Sequence, residues 1–67
     1  MKIILNGKIK KVSDKAKTLE EFLILLKYDP EKTLVSVNGN VVEKKNFSKT
    51  ALSDGDKVEV FSFVGGG

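Results

Sequence analysis

A chain of 67 residues makes one domain, and at this size folding buries only about 60% of the surface that the unfolded chain exposes, so its core has to be economical. It has no cysteine and no histidine, which excludes disulfide staples, thiolate or imidazole metal sites and the familiar nucleophile–base pairs, so it is not expected to be an enzyme in its own right. The net charge of +3 comes from 12 lysines, with no arginine, interleaved with 9 acids, which implies a solvated face rather than a track for nucleic acid.

The first element is "KIIL", separated from "KIKKV" by Asn6-Gly7. Asn-Gly favours positive φ at both central positions of a type I′ turn, so a tight hairpin is predicted. Ile9 and Val12 cannot share a face of the second strand, which implies a bulge or an early strand end there. "TLEEFLILLKYDP" follows. Thr18 and Glu21 have the spacing of a capping box, and Leu19, Phe22, Leu23 and Leu26 form one helical stripe. Lys27 suits the negative end of the helix dipole and Pro30 prevents continuation, so the helix is predicted over about residues 19 to 28. Its longest apolar run, "FLILL", is far too short to span a bilayer, and no basic-then-apolar N-terminal signal is present, so no membrane partner and a cytoplasmic location are expected.

A second hairpin is predicted at Asn38-Gly39, between "LVSV" and "NVV". Asp54-Gly55 is a further turn leading into "KVEVFSF", which alternates as a strand does. The order is β-β-α-β-β-β. One helix with one apolar stripe needs one sheet to bury it, and an α+β β-grasp, a mixed sheet of about five strands packed on one helix, does this in two layers. Strand parity sends Ile3, Leu5, Val35, Val37, Val58 and Val60 toward the helix. It sends Ile4, Glu59, Phe61 and Phe63 to the other face, where first and last strands are neighbours and Ile4 is expected to meet Phe61. Exposed aromatics leading into "VGGG" imply a partner-docking patch of Ile4, Phe61, Phe63 and Val64. The domain is expected over residues 1–63, with a flexible glycine tail at 64–67. Such a tail is either a linker remnant or a working end that threads a foreign active site, where Gly65 and Gly66 present no Cβ to clash.

The hairpin "LVSVNGNVV", the "LSDGDKVEV" before the last strand and the terminal "VGGG" together resemble the ThiS family of sulfur carriers in thiamine biosynthesis, over essentially the whole chain. The resemblance implies a ubiquitin-like carrier, with Gly67 as the acyl carrier and Gly66 its partner in a terminal Gly-Gly. It implies that an E1-like adenylyltransferase of the ThiF type adenylates the Gly67 carboxylate using ATP and magnesium, the carrier itself binding no cofactor. A sulfur donor such as a cysteine desulfurase then yields a thiocarboxylate, and a thiazole synthase of the ThiG type takes the sulfur. Where the family often has proline and arginine after the second hairpin, this chain has "EKK" at 43 to 45. Three other readings share features with this one: the small subunit of molybdopterin synthase, a protein-conjugating ubiquitin-like modifier, and a β-grasp binding module without acyl chemistry. Small size and a lysine-rich surface imply a monomer when free.

Overall fold

The computed structural model describes residues 1–62. Five strands and one α-helix follow the expected order: β1 (Lys2–Leu5), β2 (Lys8–Lys11), α1 (Leu19–Leu25), β3 (Thr33–Val37), β4 (Asn40–Val42) and β5 (Lys57–Ser62). Two 3₁₀ helices, Pro30–Lys32 and Lys44–Lys49, fill connections to which the sequence assigns no element. The sheet order is β2-β1-β5-β3-β4, with β1 and β5 parallel at its centre and the other pairs antiparallel. This is the β-grasp arrangement, with α1 lying across one face.

Both Asn-Gly turns have the left-handed pairs of a type I′ hairpin, φ 48° and 84° at Asn6 and Gly7 and φ 51° and 84° at Asn38 and Gly39. The outermost strand β2 is exposed throughout and stops at Lys11, whereas Val12 turns inward and is buried, its N–H donating to the Met1 carbonyl at 2.7 Å. The incompatible faces of Ile9 and Val12 are thus resolved by an early strand end. Three lysines on β2 and the shortness of β4, three residues, blunt the two sheet edges against pairing with other chains.

Helix α1 starts as its sequence requires. Thr18 Oγ1 accepts from the Glu21 N–H at 3.2 Å while Glu21 Oε1 accepts from the Thr18 N–H at 3.1 Å, closing the capping box. It ends three residues earlier than expected, at Leu25, and Pro30 is not the cause. Lys27 adopts φ 65°, its N–H donates to Ile24 O at 2.9 Å and that of Tyr28 to Leu23 O at 2.9 Å, the two bonds of a Schellman motif. Pro30 instead opens the next 3₁₀ helix, capped by Asp29 Oδ1 accepting from the Glu31 N–H at 2.9 Å. A lysine in the left-handed region carries a steric cost that glycine avoids, so Lys27→Gly should raise stability by about 0.5–1 kcal/mol and Tm by several degrees in a thermal melt. A lowered Tm would mean that the lysine side chain contributes more there than its backbone strain costs.

The core lies between α1 and the sheet. Ile3, Val35, Val58 and Val60 are buried against Leu19, Phe22 and Leu23 of the helix, and Leu5 and Val37 pack half-buried at the margin, so all six residues that parity assigns to this face reach it. Phe47, Leu52, Val12 and Ala16 extend the core beyond the helix. The segment carrying Leu52 is tied to the helix start by the Leu19 N–H to Thr50 O at 2.8 Å and the Leu52 N–H to Lys17 O at 3.0 Å. Among the described residues no helix is long and apolar enough to cross a membrane.

Candidate functional site: the open face of the sheet

Because α1 covers one face, the side chains of opposite parity stand on a face that no element of the described chain covers. Phe61 on β5 is 72% exposed there. The β3–β5 register sets Leu34 directly opposite Phe61 and Ser36 opposite Glu59, and the β3–β4 register sets Val41 opposite Ser36. Leu34, Val41 and Phe61 therefore border one shallow apolar depression, with Ser36 and Glu59 along one side. Ser36 Oγ donates to Glu59 Oε1 at 3.3 Å, so the polar pair beside the patch is satisfied internally. Exposed apolar side chains that lie together in this way, rather than singly, are the surface feature that marks docking sites.

Ile4 is not part of this patch. The expectation that it meets Phe61 followed from β1 and β5 being neighbours, which they are. In the parallel register, however, Ile4 stands beside Lys57, and Phe61 lies four residues further along β5, roughly 13 Å away at the rise of a strand. Ile4 pairs instead with Ile9 across β1 and β2. The open face thus carries two apolar islands. The Ile4 side has its own depression, lined by Gly7, Asn38, Gly39, Lys57 and Glu59. Leu34, Val41 and Ile9 are the exposed apolar residues of this face that the sequence reading missed; Ile24 and Leu25 are exposed on α1. The signal was present for Leu34, since the alternation that turns Val35 and Val37 inward turns Leu34 outward.

The remaining expected site residues, Phe63, Val64, Gly65, Gly66 and Gly67, lie outside the described residues. What is described is the strand that leads to them. Each hairpin asparagine bonds to β5: Asn38 Oδ1 accepts from the Lys57 N–H at 2.9 Å, and Asn6 Oδ1 accepts from the Val60 N–H at 2.8 Å. The residues "EKK" lie at the start of the second 3₁₀ helix, where Lys44 pairs with Glu31 and Lys45 with Glu43. Among the described residues no cluster of carboxylates, which are the only metal-ligating side chains of this chain, is grouped to hold a metal ion.

A family model described as the ThiS family matches residues 3–67. The crystal structure of a thiamine biosynthesis protein (ThiS) from Geobacter metallireducens superposes with a TM-score of 0.83 at 38% identity, each chain covering 100% of the other. Over all 67 residues the chain is also 37% identical to a thiazole synthase of Paramagnetospirillum magneticum and 39% identical to one of Magnetococcus marinus. It spans about a fifth (20%) of the length of those two curated relatives.

Proposed function

The chain belongs to the ThiS family, and from that membership we propose that it carries sulfur for thiamine biosynthesis as a thiocarboxylate on Gly67. The observation that carries this reading is a family match that runs through the terminal glycines to residue 67. A glycine carboxylate is a poor acyl donor until one of its oxygens becomes part of a good leaving group. Attack of that oxygen on the α-phosphorus of magnesium-bound ATP, in a ThiF-type adenylyltransferase, releases pyrophosphate and gives the acyl adenylate. The persulfide sulfur of a donor such as a cysteine desulfurase displaces AMP to give an acyl disulfide. A second thiol reduces its S–S bond and ends as a disulfide with the donor, and a thiazole synthase takes up the sulfur of the thiocarboxylate so released. The catalytic groups belong to these partners, and the carrier serves as their covalent co-substrate in the cytoplasm, where ATP is at hand.

The likeness to two proteins named thiazole synthase supports the thiazole branch over molybdopterin synthesis. It also supports association with a thiazole synthase, since the matched segment of those relatives belongs to a longer chain. The patch of Leu34, Val41 and Phe61 is the docking surface of this reading, at the end of the sheet from which β5 leads toward Gly67. The blunted sheet edges support a carrier that is monomeric between encounters.

Intact mass tests the chemistry. Protein incubated with the adenylyltransferase, ATP, magnesium and a sulfur donor should gain the mass difference of one oxygen replaced by sulfur. A variant lacking Gly67 should not. Addition of thiazole synthase and its other substrates should reverse the gain. An unchanged mass beside a competent activating enzyme would remove the carrier reading and leave a binding module.

A further inference from the structure

β5 is longer than the strand beside it. The β1–β5 ladder ends at Leu5 opposite Val58, while β5 continues to Ser62. Backbone groups of β5 beyond Val58 that face β1 therefore have no strand to pair with, while β3 pairs with the opposite edge as far as Ser62. Unpaired N–H and C=O groups leave the β1-facing edge unsupported. Asn6 fills the gap. Its own N–H donates to Val58 O at 2.9 Å, its Oδ1 accepts from the Val60 N–H at 2.8 Å and its Nδ2 donates to Val60 O at 3.3 Å. A carboxamide has the same donor–acceptor pair as a peptide group, so the side chain stands where the next residue of β1 would be.

We infer that Asn6 is a positioning residue for the acyl end of the chain: by taking the place of a missing strand residue beside Val60, it fixes the height and direction of β5 where the strand leads toward Gly67. This rests on the carrier reading above. Val60 is seven residues before Gly67 and is the last described residue of β5 bonded on its β1 side, β3 holding the other side as far as Ser62. A reaction at the terminal carboxylate in another protein's site depends on how the held part of the strand lies relative to the docking surface. Asn38 provides an internal comparison. It occupies the same turn position in the other hairpin and bonds β5 at Lys57, the beginning of the strand, where it has no bearing on the direction of the end.

The test compares Asn6→Gly with Asn38→Gly in the full chain. Glycine keeps each turn, since both positions have positive φ, and removes only the carboxamide. The readout is ATP–pyrophosphate exchange by a ThiF-type enzyme as a function of carrier concentration. The carrier is itself the varied substrate, so a variant that is merely less folded lowers the competent concentration, raising KM while leaving kcat alone. A misdirected end does the opposite. For Asn6→Gly we expect kcat to fall by roughly tenfold with KM within about twofold, and for Asn38→Gly an unchanged kcat. Amide exchange should show protection lost at Val60 in Asn6→Gly while Val35 and Val58, the other core valines of the sheet, keep theirs. An unchanged kcat in Asn6→Gly, a rise in KM alone, or an equal fall in both variants would overturn the inference. A wild-type chain inert toward a competent enzyme would instead overturn the carrier reading, and the inference with it.

Discussion

Phe47→Ala is expected to bring the protein to the edge of unfolding, at a cost of about 3–5 kcal/mol. The phenyl ring is 1% exposed and sits in the second 3₁₀ helix, which packs against α1. At roughly 0.05–0.15 kcal/mol per residue, a domain of 67 residues has about 3–10 kcal/mol of stability in all, so one cavity of this kind consumes a large part of it. The cost is at the upper end because the neighbours cannot collapse into the space. The chain on either side is fixed, by the Thr50 Oγ1–H to Asn46 O bond at 2.7 Å and by the Leu19–Thr50 and Leu52–Lys17 backbone bonds. Urea unfolding followed by far-UV circular dichroism measures it: with a slope of about 1 kcal/mol/M, the midpoint should fall by about 3 M or more. Phe47→Leu, which keeps most of the volume, should cost under about 1.5 kcal/mol. A midpoint for Phe47→Ala within about 1 M of the wild type would show that the 3₁₀ helix is not part of the cooperative core.

Phe47 also shows where the sequence stops being readable. It is a lone aromatic in "KKNFSKT", with only the small Ala51 at helical spacing, so no periodicity marks it as core. Its burial depends on a 3₁₀ helix held in place by tertiary contacts. The end of α1 was hidden for a related reason, because Lys27 in the left-handed region carries none of the glycine or asparagine signal of a Schellman stop. What was legible was local. Two Asn-Gly turns, the Thr18–Glu21 capping box and the alternation of Val35 with Val37 and Val58 with Val60 each concern residues a few positions apart, and each appears as expected. The open face of the sheet falls between these cases. Alternation states which face a side chain takes, so Phe61 and Ile4 do share one. It does not state height along the strand, which comes from the register of β1 on β5, a pairing between residues more than fifty positions apart. That offset separates Ile4 from Phe61 and gives Phe61 a different neighbour, Leu34.

On the proposed carrier function, Phe61→Ala should raise the KM for a ThiF-type adenylating enzyme by roughly 10- to 100-fold, the loss of about 1.4–2.7 kcal/mol that a buried aromatic anchor supplies at an interface. At 72% exposure the ring contributes little to the fold, so the thermal midpoint should move by only a few degrees, reflecting strand propensity. Leu34→Ala should act in the same direction and more weakly, since Leu34 is already half covered at 55% exposure and presents less area to a partner. The double variant should fall short of the sum, because the two side chains are directly opposed across β3 and β5 and share one contact region. Ile9→Ser is the discriminating control. Ile9 is as exposed as Phe61, at 73%, and stands on the same face, but it belongs to the Ile4 island at the other side of the sheet. If KM is unchanged in Ile9→Ser and raised in Phe61→Ala, docking uses the half of the face built by β3, β4 and the end of β5. The reverse pattern would move the docking surface to the β1–β2 half and leave Phe61 a solvent-facing residue without a part in recognition.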